Sequence, residues 1–384
     1  MKTKGSSCPR WKRDSIDWRP RCRNERARTA GSHMRIQVDE LERTQEALYA
    51  ALCRELHSLI YPTIRYRGFL RRVVGGEDHY LIAKEGGEVV GALPLFLKRS
   101  MTIGCVVNSL PFHGSNGGVL ISPRARDPES VFRHLVDAAE DLARQADART
   151  LTLITSPFDP AVRRYEARFP SAFRDWRHGQ ILPLSGSEEA LMARMHPSRR
   201  RGLGIARRKG VSIRRSADPV DLQLVVSIHM DNMAAVGARA KEWHVFDALR
   251  MTLQWEKDYV VYVAEVDGRL VGGLIVLFHD ITAEYFVPAL NRDDRSTQAG
   301  SALVFEAIRD ARRRGCRYLN FGGTREGQQG VYDFKKRWGA IDMPYFYFSQ
   351  PIYDATDLLS MDRTILEREW PYFYAVPFEE QAAS

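Results

Sequence analysis

Between positions 196 and 215 the chain reads HPSRRRGLGIARRKGVSIRR, eight basic residues without one acid. Arg199, Arg200 and Arg201 follow Pro197-Ser198, a pair suited to opening a helix. Guanidinium forks match phosphate and diphosphate oxygens two at a time, so this run suits an anionic ligand. Thr297, Gln298, Gly300 and Ser301 stand where a loop gives way to a helix, and helix N-termini offer N–H groups to anions. His113 and Asn116 lie in the glycine-rich loop Pro111-Phe112-His113-Gly114-Ser115-Asn116-Gly117-Gly118, where the backbone can approach a ligand. Tyr285 and Tyr332 carry hydroxyls able to hold an acceptor or relay a proton. The ten histidines and five cysteines show no metal-ligand spacing, and no G-x-S-x-G sequence is present, so no metal and no serine triad is expected.

Hydrophobic periodicity supplies the elements that must position these groups. A helix is expected over 38–59, a hairpin from 80–85 and 88–97 around Gly86-Gly87, and strands at 103–109 and 117–122. A helix over 128–146 and a buried strand at 150–154 follow. The second half repeats this order. A hairpin from 260–266 and 269–278 turns at Asp267-Gly268, and strand 281–287, helix 301–314 and strand 318–321 come after it. The letters repeat too: Ala83, Gly87, Val90, Gly91 and Leu93 align with Ala264, Gly268, Val271, Gly272 and Leu274 at an offset of 181. A duplicated α/β unit accounts for both. Beyond it, 345–348 reads as a strand and 358–368 as a helix.

The net charge of +9 first suggests a polyanion partner. Residues 1–34 hold ten Lys/Arg against three acids, which leaves the other 350 residues at +2. That tail has no hydrophobic periodicity and is expected to be disordered; Gly31-Ser32-His33-Met34 resembles a tag scar. Without the tail no DNA partner is expected. Scattered, unpaired cysteines and the lack of an eighteen-residue apolar run fit a cytoplasmic location without a transmembrane segment.

The order of helix, antiparallel hairpin, strands, helix and strand resembles the GNAT acyltransferase fold, and two such units in tandem resemble the Fem-type aminoacyltransferases. Besides the 111–118 loop and the 197–211 basic segment, the likeness rests on Asn320-Phe321-Gly322-Gly323 and on Gly330-Val331-Tyr332-Asp333-Phe334-Lys335-Lys336-Arg337-Trp338-Gly339. The resemblance implies a mixed α/β fold of two tandem GNAT-like units, over 35–182 and 183–350. Residues 351–384 would then pack back on them. It also implies transfer of an acyl or aminoacyl group to an amine on a cell-wall or polysaccharide precursor, or on another amine-bearing metabolite. Lys335 falls where that family keeps a lysine to stabilise the oxyanion, with Tyr332 beside it. In that reading Arg199, Arg200 and Arg201 would meet a nucleotide diphosphate, a lipid pyrophosphate or the acceptor stem of a charged tRNA, and Phe334, Tyr285, Asn320, His113 and Asn116 are further candidates to bind the substrate. A lipid-linked substrate would bring peripheral membrane contact.

No tightly bound cofactor is implied. The co-substrate would be aminoacyl-tRNA or acyl-CoA. For acyl-CoA the fold's diphosphate loop reads Arg/Gln-x-x-Gly-x-Gly/Ala, and here Thr297 fills its first position, so the loop is incomplete. Two other readings stay open at this point. One is an acyl-CoA-dependent N-acetyltransferase, and the other is a non-catalytic RNA- or polyanion-binding protein using the 196–215 patch.

Overall fold

The computed structural model describes residues 36–159 and 161–377. The basic segment 1–34, with the disorder expected of it, lies outside the described residues. In the first half β1 (Gln37–Glu40) precedes helices α1 (Glu46–Glu55) and α2 (Ile64–Val74). Strands β2 (Glu77–Glu85), β3 (Glu88–Ser100), β4 (Gly104–Ser109) and β5 (Leu120–Ile121) follow, then α3 (Pro128–Gln145), β6 (Ala148–Ile154) and α4 (Val162–Arg168). Strand β7 (Phe173–Pro183) leads into α5 (Glu188–Arg194), α6 (Pro197–Arg208), β8 (Ser212–Ser216), α7 (Pro219–Ala234) and α8 (Trp243–Thr252). The second half continues with β9 (Tyr259–Val266), β10 (Arg269–His279), β11 (Thr282–Leu290), α9 (Ala299–Arg313), β12 (Tyr318–Thr324) and α10 (Gln329–Lys336). The chain closes with β13 (Ile341–Asp342), β14 (Tyr345–Pro351), α11 (Asp357–Ser360) and α12 (Arg363–Glu369).

The repeat seen in the letters is present in the pairing. Ala83 faces Gly91 in the first hairpin and Ala264 faces Gly272 in the second, with a bulge beside each pair. Each half runs antiparallel through four strands and then adds one parallel strand across a helix: β4 with β6 over α3, and β11 with β12 over α9. The two helices cover the sheet for the same reason. In α3, Pro128 sits in the first turn, the Asp127 side chain accepts from the Ser130 N–H, and Val131, Phe132, Leu135, Val136 and Ala139 bury one stripe. Leu303, Val304, Ala307, Ile308 and Ala311 do so in α9, with Arg312 and Arg313 in the last turn. Each fully buried side chain of Val or Leu size contributes about 1.5–3 kcal/mol.

The halves join through exchanged strands. Strand β14 enters the first half's sheet beside β6, and β7 pairs with β14 through Phe173–Arg177 and with β12 through His178–Pro183. One fourteen-stranded sheet results. At the crossing the Gly179 carbonyl accepts the Met343 N–H at 2.7 Å. A Cβ on Gly179 would collide with the Met343 carbonyl oxygen, which is backbone and has no room to yield. Gly179→Ala is therefore expected to destabilise the chain by about 1–3 kcal/mol, read as a lowered denaturation midpoint; unchanged stability would disprove the close approach.

The sequence-based elements need three corrections. The helix expected over 38–59 holds only for 46–55, because residues 37–40 extend the sheet edge against β2, with Asp39 bonded to Lys84 at 2.9 Å. The strand expected at 117–122 shrinks to residues 120–121. The helix expected over 358–368 is broken into α11 and α12, because Asp362 caps a new start by accepting the Thr364 N–H.

Candidate active site

Strands β11 and β12 pair only from Thr282 and Tyr318 to Glu284 and Asn320. Past that point each strand keeps only its other neighbour, β10 for β11 and β7 for β12, and a bulge falls on each. On β11 Val287 and Tyr285 face consecutive residues of β10, which leaves Phe286 as the extra residue. On β12 the register slips between Asn320 and Gly323, with Gly322 at φ +74°. That conformation suits glycine, and the Gly322 N–H folds back onto Asn320 Oδ1 at 2.8 Å. The gap between β11 and β12 beyond Glu284 and Asn320 is a slot in the ladder.

Lys335 stands at this slot. It lies near the end of α10 and is 5% exposed. Its ammonium donates to the carbonyls of Gly322 and Gly323, both at 3.1 Å, and to Thr324 Oγ1 at 2.8 Å. Thr324 Oγ1 in turn donates to Gln180 Oε1 at 3.0 Å. Among the described residues no carboxylate pairs with Lys335, and burial pushes its pKa down to about 7. Tyr332, one turn earlier, donates to Asp342 Oδ2 at 2.8 Å and packs its ring on His178.

One face of β11 is aromatic and cationic. Tyr285 packs edge-on against Phe321 with centroids 5.3 Å apart, and Phe334 lies 6.3 Å from Tyr285. The Arg199 guanidinium stacks on Phe334 at 4.8 Å and on Trp338 at 5.6 Å. The arginine triplet separates by role. Arg200 donates to the carbonyls of Met192 at 3.0 Å and Met195 at 2.6 Å, so it closes the α5–α6 turn, while Arg201 is exposed.

The other face of β11 adds residues that no sequence pattern singled out, Glu284 and Lys241 among them, to Asn320 and His113. Glu284 is 2% exposed and accepts from Tyr61 Oη at 2.9 Å and Asn320 Nδ2 at 2.8 Å, both at Oε2. Its Oε1 is buried without a partner, and burial raises the carboxyl pKa to about 8. Above it Phe286, Phe69, Phe112 and Tyr372 form a ring-lined wall. Lys241 Nζ lies 5.1 Å from the Phe286 ring centre and 5.9 Å from that of Phe112, and burial pushes its pKa down to about 8. Arg239 covers Tyr372 at 4.8 Å. His113 is open to solvent, yet desolvation and then the charges of Lys241, Arg239 and Arg325 depress its pKa to about 3. Asn116 is buried, its Nδ2 3.5 Å from the Gly114 carbonyl.

The chain's likeness to known proteins agrees with this geometry. Residues 194–336 match the acetyltransferase (GNAT) domain family. That stretch, from α5 to α10, is similar to a GNAT acetyltransferase domain. No curated protein matches it. Among solved structures, FemX superposes with a TM-score of 0.65 at 12% identity, over 84% of this chain and 99% of FemX. A tandem GNAT protein from the clavulanic acid biosynthesis pathway gives 0.54 at 18% identity, over 84% of this chain and all of that one (100%). The C-terminal domain of a protein named as a lysylphosphatidylglycerol synthetase, from Agrobacterium fabrum, gives 0.55 at 16% identity, over 86% and 99%. At such identities the likeness is one of fold.

The GNAT fold implies acyl-CoA as co-substrate, with its diphosphate at the start of α9. The residues there do not fit that group. The Thr297 and Gln298 N–H groups bond to Asp294 O and Arg295 O, and those of Ser301 and Ala302 to Gln298 O. Thr297 Oγ1 takes the Ala299 N–H at 3.2 Å. Helix α6 then lies across the turn, so close that a Cβ on Gly202 would come within 2.9 Å of Gln298 Oε1 and 3.0 Å of Ser301 Oγ. The N–H groups of Thr297, Gln298, Ala299, Ser301 and Ala302 are thus spent inside the chain. Among the described residues no three His, Cys, Asp or Glu side chains are placed to hold a metal ion, and no helix is long and apolar enough to cross a membrane.

Proposed function

We propose that this enzyme acylates the amine of an acceptor that also carries an anionic group, seated between the two halves on the Glu284 face of β11. One observation carries the reading: the charges of Lys241, Arg239 and Arg325 all act on His113, Lys241 lies over Phe286 of β11, and among the described residues no carboxylate pairs with Lys241. A cation in a desolvated cleft costs free energy that an acceptor's phosphate or carboxylate offsets. A cell-wall or polysaccharide precursor, or another amine-bearing anionic metabolite, has this combination of groups. The likeness to FemX supports the reading at the level of fold.

In the proposed reaction the acceptor nitrogen attacks the donor carbonyl, the C–N bond forms, and the bond to the leaving group breaks. Glu284 Oε1, the free carboxyl oxygen, takes the proton lost by nitrogen and returns it to the leaving group. Lys335 supplies positive charge beside the oxyanion. All three of its N–H groups are engaged, so it serves by turning one from a Gly322 or Gly323 carbonyl toward the intermediate. The spent donors at α9 favour a donor that is not clasped there by a diphosphate, and aminoacyl-tRNA is such a donor.

Lys241→Met tests the acceptor site. It is expected to raise KM for the anionic acceptor about tenfold or more while kcat stays within a few-fold, because the contact forms equally in ground and transition states. An unchanged KM would remove Lys241 from the acceptor site.

A further inference from the structure

We propose that Arg199 is a phosphate fork for the acyl donor, on the face of β11 opposite the acceptor. Successive side chains of a strand point to opposite faces, and here Tyr285 packs with Phe321 and Phe334 whereas Glu284 meets Tyr61 from the other side. Arg199 completes the Tyr285 face. The first turn of α6 is tied to the end of α10 by the His196 N–H on the Arg337 carbonyl at 2.9 Å, which sets Arg199 directly over Phe334, the neighbour of Lys335 in the chain. With rings of Phe334 and Trp338 against it, the guanidinium has its flat face covered, and a guanidinium edge can offer paired hydrogen bonds.

Three observations separate Arg199 from a structural arginine. Its Nε is buried and, among the described residues, has no hydrogen-bond partner. Among the described residues no carboxylate pairs with it, and the charge acting on it is the like-signed Arg337. Its neighbour Arg200 shows the contrast, with its donors committed to backbone carbonyls. A stacked guanidinium left without an anion beside an acyl-transfer slot fits a ligand that brings one. With the α9 turn closed, this is where a phosphate on that face finds charge-assisted donors. The phosphate has two sources, a coenzyme A chain or a nucleotide ester such as the 3′ end of tRNA, and their shared chemistry is the phosphate ester.

That the phosphate belongs to an acyl donor rests on the acyl-transfer reading; the binding itself does not. Affinities of the full chain for inorganic phosphate, adenosine monophosphate and coenzyme A, measured by phosphorus NMR titration and calorimetry, test the fork directly. At least one phosphate probe is expected to bind, and Arg199→Met should weaken it about tenfold or more. Arg199→Lys should retain part of the affinity, and Arg201→Met, on the exposed side of the same helix, should retain all of it. Coenzyme A binding that depends on Arg199 assigns the phosphate to a coenzyme A chain; equal affinity for adenosine monophosphate assigns it to a nucleotide ester. If no probe binds at millimolar concentration, or if binding survives Arg199→Met in a variant that melts like the parent, the fork is overturned. Phosphate binding through Arg199 in a chain without acyl-transfer activity would sink the functional reading alone.

Discussion

Lys335→Met is expected to lower kcat about 10²–10³-fold, the range seen when one oxyanion donor is removed. Methionine keeps the length and removes the charge, so the loss reports the ammonium and not the volume. The lysine is 5% exposed, without a carboxylate partner, and bonded to two carbonyls and a hydroxyl of the strand segment that follows Asn320. That placement brings its charge to the slot where the strands part. The same contacts make it a structural tie. Two buried carbonyls losing a donor cost about 1–3 kcal/mol each, so the variant should also melt earlier. The two effects separate experimentally. Acceptor KM should stay near the parent value, and single-turnover rates at saturating substrate should carry the loss. Near-normal turnover would remove Lys335 from the chemistry and leave it as a tie between α10 and β12.

How much of this was legible depended on whether a residue's neighbours in space were also its neighbours in sequence. The hairpins were, because strand alternation and the Gly86-Gly87 and Asp267-Gly268 turns are local signals, and the 181-residue offset reproduces the Ala83–Gly91 and Ala264–Gly272 pairs. Lys335 and Phe334 were legible through a ten-residue pattern. Strand β7 was not, because its two ends pair with β14 and β12, both far along the chain, and nothing local marks such an exchange. The proposed acceptor site was read in part, through His113, Asn116 and Asn320. Lys241 and Arg239 lie in a loop whose letters, Val236-Gly237-Ala238-Arg239-Ala240-Lys241, carry no period, and their approach to Phe286 and Tyr372 is purely tertiary. One usable signal was passed over. Glu284 is the single acid in the otherwise apolar or neutral strand Thr-Ala-Glu-Tyr-Phe-Val-Pro-Ala-Leu, and an acid buried in such a strand needs a reason. The arginine triplet looked uniform in sequence, whereas the helix turns its members toward a ring stack, a set of carbonyls and solvent.

Glu284→Gln should remove the acid limb of the pH–rate profile and lower turnover about 10²–10⁴-fold, the usual worth of a positioned base. The proposed reaction needs Glu284 ionised, with a pKa raised to about 8, and Lys335 protonated, with a pKa lowered to about 7. The two values stand in reverse order, so at any pH only a minority of molecules holds an ionised Glu284 and a charged Lys335 together. At pH 7.5 roughly one molecule in seventeen holds both groups in the required state, and kcat/KM follows a bell centred there with limbs near 7 and 8. Without Glu284 only the lysine requirement remains, so the residual activity should be flat in acid and fall through about 7, not about 8. A purely structural Glu284 would leave both limbs in place. Stability supplies an independent readout. The folded carboxyl holds its proton up to about 8 while the unfolded one releases it near its ordinary value of 4.5, so between these pH values the folded state binds more protons and the parent loses stability as pH rises. Burial of Lys335 acts oppositely: its penalty is full below about 7 and is relieved as pH climbs toward 10.5. Glutamine still offers Tyr61 and Asn320 an acceptor but has no proton to lose. Denaturation midpoints of the variant should therefore decline less than the parent's from pH 5 to 8, and a parallel decline in both proteins would show that Glu284 is not the raised carboxyl.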